Sequence, residues 1–438
     1  MGRNDHRRVD HRKEPHLSPQ PSLRVFSRIL LSAVQLLVML LAFLSRGSSQ
    51  VRVGADILFD ERFDLVRGKR VALVANNTSL LASGEHLADA LHRNAETHLT
   101  KLFGPEHGIR GDTPDGISVG NSRDDRTGLP VFSLFGAATK PTPEMLDSID
   151  VVLFDIQDVG ARFYTYESTL SLTMEAAAER GIPFVVLDRP NPIRGVSPEG
   201  FVLVDSLRSF VGLHPIPIVH AMTVGELARM MNGEGWLRNG VKASLTVVAL
   251  EGWKREMWYD ETGLAWVKPS PNMTTLTTAV VYPGSCLVEG TNLSEGRGTS
   301  FPFIWIGAPY VDGVRWARAL NDYRLPGVRF VPVEFTPRAI PNVASNPKYV
   351  GERCHGVELQ VSDRNAYRPV ATAVYVLASA RNLFPSGFQW RENGFDRLAG
   401  TPRLREEVNA GELPARIVDG WTDELKKFQE IRKKYLLY

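Results

Sequence analysis

From Val51 onward, short apolar runs rich in β-branched residues alternate with longer stretches of helical periodicity, and this alternation limits the fold more than any other feature of the chain. Such a run is apolar on both faces, and the chain between two of them is long enough to cross over as a helix. The pattern therefore specifies an α/β fold, a parallel sheet covered by helices. The runs fall at residues 70–75, 99–103, 151–154 and 183–187. Between the last two, residues 165–180 are alanine-rich and stop at Gly181, completing one βαβ unit. A further helix is expected over 224–232, with Thr223 as N-cap and Glu226 at capping-box spacing.

Beyond about Pro283 the texture changes to a Gly- and Ser-rich stretch and then to mixed elements broken by Pro326, Pro332, Pro337, Pro341 and Pro347. This predicts a larger catalytic domain over 51–285 and a smaller α/β domain over 286–438 that completes a cleft. The closing segment 421–438, with Leu425, Phe428, Ile431 and Leu436 near helical spacing, should dock on the body. A chain of 438 residues with 43% hydrophobic content supports two such domains.

The first 50 residues stand apart. Arg3, Arg7, Arg8, Arg12, Lys13, Arg24 and Arg28 precede an uncharged run that opens at Ile29 and closes at Leu44, and Arg46-Gly47-Ser48-Ser49 comes next. A basic segment, an apolar run and small residues make an export signal, so a periplasmic or secreted protein is expected. The run is shorter than the roughly 20 residues of a spanning helix, yet the long basic segment leaves an uncleaved membrane tether as the alternative. No cysteine stands closely enough after it for a lipoprotein. Lys+Arg 51 against Asp+Glu 49 gives a net charge of +2, which provides no field to attract nucleic acid. Cys286 and Cys354 form neither a CxxC nor a Cys/His cluster, so neither a metal site nor a cofactor is expected, and one disulfide or two free thiols both fit.

In open parallel sheets the site lies beyond the carboxyl ends of the strands. The second run leads into Gly104-Pro105-Glu106-His107-Gly108, the third into Asp155-Ile156-Gln157-Asp158-Val159-Gly160-Ala161-Arg162-Phe163-Tyr164, and the fourth into Asp188-Arg189-Pro190-Asn191-Pro192. Each loop combines acid, arginine and a backbone-shaping Gly or Pro. Gathered at neighbouring strand ends they would line one polar pocket with several carboxylates. That suits glycosidic cleavage, which needs one protonated acid at the leaving oxygen and one ionised group for the oxocarbenium-like transition state. The bland alternative is that the acids pair with Arg110, Arg162 and Arg189 to fix loops. A fourth segment, residues 282–299, is glycine-dense and polar and reads as a functional loop at the domain junction, where Glu289, Asn292, Glu295 and Arg297 can meet sugar hydroxyls, an acetamido group or a carboxylate. Residues 268–273 are a rigid extended segment suited to walling the same cleft.

Competing motifs fail on context. Gly116-Ile117-Ser118-Val119-Gly120 has the G-x-S-x-G form of a serine esterase, but Asp112, Pro114 and Asp115 precede it where an apolar strand is required. Ser345-Asn346-Pro347-Lys348 fits S-x-x-K, but its proline would break the helix that motif needs. No P-loop, G-x-G-x-x-G or H-E-x-x-H occurs. A non-catalytic binder using the same cleft remains the alternative to an enzyme.

These loop motifs, with Glu289-Gly290-Thr291-Asn292-Leu293-Ser294-Glu295-Gly296-Arg297-Gly298-Thr299 and the ending Leu436-Leu437-Tyr438, resemble the exo-β-N-acetylmuramidase NamZ family over residues 53–438. The resemblance implies a Rossmann-like larger domain and a smaller α/β domain. It further implies release of terminal N-acetylmuramic acid from the non-reducing end of peptidoglycan fragments such as a muramic acid–N-acetylglucosamine disaccharide. By motif, Glu106 is the expected general acid, with Asp155, Asp158 or Glu295 opposite it. His107, Arg162, Tyr164, Asn191, Asn292 and Arg297 are expected substrate contacts, the arginines reading the lactyl carboxylate. The chain departs from the family at His220-Ala221-Met222-Thr223, where H-G-M-T is usual, at Asn272-Met273-Thr274, and at Pro198-Glu199-Gly200-Phe201.

Overall fold

The structure, a computed structural model, describes residues 50–111 and 120–438. The expected export segment before Gln50 and Ser118 of the G-x-S-x-G string lie outside the described residues.

The first expected run forms β1 (Arg70–Ala75), and the others form β2 (His98–Gly104), β5 (Val151–Asp155) and β6 (Phe184–Leu187). With β3 (Ser122–Arg123), β4 (Pro130–Ser133) and β9 (Leu245–Val248) they make a sheet in the order β3-β4-β2-β1-β5-β6-β9, parallel except for the β3–β4 pair. Alternate residues serve opposite cores, as a strand's two-residue period requires. Val71, Leu73 and Ala75 face a layer containing α1 (Gly54–Asp60) and α2 (Leu87–Arg93), whereas Ala72 and Val74 face α3 (Tyr166–Glu179) and α4 (Val224–Gly233). The cap of α4 forms as expected: the Thr223 side chain accepts from Glu226 N while the Glu226 side chain accepts from Thr223 N.

An antiparallel ribbon, β7 (Glu199–Val202) with β8 (Pro217–Val219), is inserted in the chain between β6 and β9. The smaller part holds β10 (Trp305–Ala308), β11 (Val328–Phe335) and β12 (Cys354–Val361) in the antiparallel order β10-β12-β11. Helices α5 (Leu276–Ser285), α6 (Gly313–Asp322) and α7 (Pro369–Leu383) cover it, and four short helices from Glu392 to Lys433 close the chain. Residues 50–438 form one compact unit, its larger core running from Phe154 and Phe184 through Leu287 to Val357 and Phe330.

One expectation needs correcting. The first part of the 282–299 segment is the end of α5 and a 3-10 turn (Cys286–Gly290), with Tyr282, Cys286, Leu287 and Val288 buried. Its glycines serve close packing: a Cβ on Gly284 would run into the Pro369 carbonyl, and one on Gly290 would stand 2.5 Å from Phe395 Cα. Both cysteines are free thiols. Among the described residues no helix is long and apolar enough to cross a membrane.

Candidate active site

Parallel pairing sets the carboxyl ends of β2, β1, β5 and β6 side by side, with Ala75 in register with Asp155. The loops leaving these strands therefore meet at one edge. Asp155 is fully buried and accepts Arg189 Nε at 2.5 Å and Nη2 at 2.9 Å, while Arg189 also donates to the Leu80 carbonyl at 3.0 Å. Ser79 donates to the Asp155 carbonyl, and Thr78 accepts from Gln157 N. The expected catalytic Asp155 is thus half of a bidentate pair that ties three strand ends together. Asp188 has the same kind of task at the end of β6, accepting from Thr223, Gly225 and Tyr438. Burial lifts its carboxyl to about 6 against those donors.

Asp158 lies one level below the surface, 3% exposed, in a triad with Glu167 and His220. His220 Nε2 stands 3.1 Å from Asp158 and 2.9 Å from Glu167, and its Nδ1 accepts Met222 N at 3.1 Å. Burial disfavours an imidazolium and the two carboxylates favour one. The carboxylates prevail and raise the ring to about 10, and with the Met222 N–H facing Nδ1 the proton they hold sits on Nε2. Burial lifts Glu167 to about 7 against the pull of His220. The three residues offer ligand atoms within 4.8 Å of one another. A protonated Nε2 has no lone pair for a metal, however, so the chemistry of the set fits a hydrogen-bonded lock better than a cation site.

Above this layer opens a narrow cavity. Its walls are Glu106 and His107 from the loop after β2, residues 163–166 at the head of α3, Ser270 and Met273, Tyr282 of α5, and Arg297 with Phe303. The loop turns sharply, with both His107 (φ 73) and Gly108 (φ 76) left-handed. Thr165 donates to Glu106 Oε2 at 3.4 Å, and Tyr166 donates to the Pro269 carbonyl at 2.6 Å, which anchors the 268–273 wall. Tyr164 meets the rings of Tyr166 and Tyr282 edge-on. Behind the cavity, Arg297 donates to Glu289 at 2.9 and 3.1 Å, lies 3.6 Å from Glu295, and stacks over Phe303 at 5.0 Å. Lys348 reaches Glu295 at 3.0 Å.

Burial lowers Arg297 to about 10, still cationic at neutral pH, with Glu106 acting to hold it up. Burial, then Glu295 and Glu106, raises Glu289 to about 8 against the pull of Lys348. Burial beside like charges thus lets Glu289 retain a proton near neutrality. A retained proton beside ionised carboxylates is what protonation of a glycosidic oxygen requires.

Residues 71–277 match the family described as exo-beta-N-acetylmuramidase NamZ, N-terminal, and residues 280–438 match its C-terminal counterpart. The chain belongs to the NamZ family. It is 45% identical over 390 residues to the peptidoglycan beta-N-acetylmuramidase NamZ of Bacillus subtilis (strain 168), spanning 89% of this chain and 92% of that protein. Two solved DUF1343 family proteins from Bacteroides fragilis NCTC 9343 share the fold. One has a TM-score of 0.82 at 37% identity and the other 0.75 at 34%, each alignment covering 89% of this chain and 99% of the other.

On this NamZ scaffold the expected site residues divide. Glu106, His107, Tyr164 and Arg297 line the cavity, and Glu295, 3% exposed, stands directly behind it. Asp155 and Asp158 lie in the buried layer. Arg162 is 1% exposed and donates to the carbonyls of Phe201, Ile216 and Leu398, so it fastens the β7–β8 ribbon. Asn191 bridges Met222 O and Ile193 N. Asn292 bridges Gly387 O, Tyr310 and Gln389 N. These three brace the fold: both amides and the two terminal nitrogens of Arg162 are engaged by the chain itself. Sequence reasoning missed His220, Glu167 and Lys348; only the S-x-x-K string touched Lys348, and for the wrong reason. It also left Glu289 as a sugar contact, whereas its partner is Arg297. The family departure at Ala221 has a visible cost, since its φ of 55 is the left-handed conformation in which glycine is at ease.

Proposed function

We propose that the protein is an exo-acting glycoside hydrolase that releases terminal β-linked N-acetylmuramic acid from the non-reducing end of peptidoglycan fragments. The observation that carries this reading is the 45% identity across 89% of the chain with a peptidoglycan β-N-acetylmuramidase. The cavity supports it chemically, because the matched motifs bring acid, cation and aromatic surface together. Glu106, on the cavity wall, acts as general acid and delivers a proton to the glycosidic oxygen. Arg297 receives the lactyl carboxylate that distinguishes muramic acid from N-acetylglucosamine. Incubation with a muramic acid–N-acetylglucosamine disaccharide should release both free sugars. Saturable binding with no turnover would replace the hydrolase by a cell-wall fragment binder.

The same reading covers export and a place in cell-wall recycling. The basic segment and the run from Ile29 to Leu44 support secretion, and peptidoglycan lies outside the cytoplasmic membrane. Fractionation and N-terminal sequencing test it: a processed N-terminus is expected, and an intact one in the membrane fraction would make the run a tether.

A further inference from the structure

A second cavity, of about 430 Å³, opens across α5 from the one that holds Glu106. Val280 lines it while Tyr282 lines the other, and two residues along a helix turn about 200° around its axis. The two cavities share no described residue. The walls of the second come from the stretch that leads into β7, from Val219 of β8, from Trp258, and from residues 364–369 at the head of α7.

Arginine dominates its charged lining. Arg194 stands 4.7 Å and Arg364 4.9 Å from the centre of the Trp258 ring. Asn365 Oδ1 fixes this group, accepting from Arg194 Nη1 and from Trp258 Nε1, each at 3.0 Å. The guanidinium groups are not equally committed. Arg364 is paired with Asp260 at 2.7 Å and Glu261 at 3.5 Å, and Arg368 lies 3.9 Å from Glu199. Arg194 has no ion pair among the described residues, and Asn365 takes one of its five N–H groups. Its backbone is left-handed (φ 73), a costly conformation for a side chain of this size. Glu199 is the one acid among the described lining residues, and burial lifts it to about 7, so near neutrality it offsets little of the positive charge. The rest of the wall is largely apolar, with Ile193, Val196, Val219 and Val280 beside the indole.

We propose that this cavity is a second ligand site, for a small organic acid that sets its carboxylate on Arg194 and its apolar body against Trp258 and Val219. One uncommitted guanidinium matches one negative charge, and its fork fits a planar carboxylate. The volume is ample for such a ligand, since small-molecule sites span roughly 300–1,000 Å³. The carboxylate can belong to a free acid or to a peptide chain end, and the probes separate the two. Calorimetry is run with N-acetyl-leucine and with the acetylated dipeptide alanyl-leucine, each beside its C-terminal amide. At least one acid should bind about tenfold more tightly than its amide, the worth of a charged hydrogen-bonded pair. A preference confined to N-acetyl-leucine assigns the site to free acids, and one larger for the dipeptide assigns it to chain ends. Arg194→Gln should abolish the preference and Arg194→Lys should keep part of it. Val196, 40% exposed at the cavity wall, gives a second variant that spares the core: Val196→Glu should turn the preference towards the amide. Cleavage of the disaccharide should be unchanged in Arg194→Gln and Val196→Glu, and binding decides alone if the wild type does not cleave. Equal affinity for acid and amide, no saturable binding of either acid, an acid preference that survives Arg194→Gln, or cleavage lost together with the preference overturns the proposal.

Discussion

The cavity wall and the layer beneath it are built from the same residue types, acids with arginine, histidine or lysine, and they differ in what their polar atoms are free to do. In the lower layer Asp155 is held by Arg189, Asp158 and Glu167 by His220, and Asp188 by Thr223 and Tyr438. These groups are buried and each is held by a residue distant in the chain, so they lock strand ends and loops. In the wall Glu106 and Arg297 line a cavity, where a ligand can reach them. Burial against a distant partner makes an acid structural, and exposure to a cavity opens it to chemistry.

The comparison breaks most readily at Glu106. Glu106→Gln removes a proton donor from a half-buried surface and should lower turnover about 100- to 10,000-fold, with the thermal midpoint unchanged. A collapse in stability would place Glu106 in the structural layer. Arg189→Leu is the counterpart below: it leaves the buried Asp155 charge unpaired and should cost about 3–5 kcal/mol of unfolding free energy, read as a shifted urea midpoint. Near-neutral stability would mean that Asp155 has other compensation.

Glu199 sharpens the contrast through pH. It is buried beneath the start of α7, accepting from Ala371 N at 2.7 Å, and burial lifts it from 4.5 to about 7 against the Ala371 and Val370 N–H groups and Arg368. The folded state then holds this proton more tightly than the unfolded chain does, so the contribution is complete below about pH 4.5 and fades as pH rises through 7. Urea titrations at pH 5 and pH 8 should show wild-type stability falling relative to Glu199→Gln by about 2–3 kcal/mol. A pH-independent difference would mean that Glu199 retains no proton on folding. The smallest effect is expected at Ala221, beside the His220 lock, where Ala221→Gly relieves the left-handed strain and should add about 0.5–1 kcal/mol. A loss would mean that the Ala221 methyl group packs favourably.

Much of this architecture is legible in the chain. The apolar runs became buried strands because a β-branched run without polar alternation has no face to offer water. The α4 cap was readable because its two partners are three residues apart. The closing helix docked as its spacing required, and carried Tyr438 to Asp188. The division of the acids was not legible. Within the single motif from Asp155 to Tyr164, Asp155 and Asp158 point into buried partners, Arg162 plugs three carbonyls, and Tyr164 reaches the cavity. Those partners come from the loops after β1, β6 and β8, from the β7–β8 ribbon and from the helix that holds Leu398, and no local spacing reveals them.

The sequence by itself determined the parallel sheet, the edge at which its loops gather, and the family whose chemistry that edge carries, because burial patterns and long motifs are local properties. Only the tertiary structure decided that Glu106 and Arg297 face the cavity while Asp155, Asp158 and Arg162 hold it up, and that Lys348 stands behind Glu295. Whether a charge is spent on the fold or left for a ligand depends on which distant group meets it, and that is settled when the chain closes on itself.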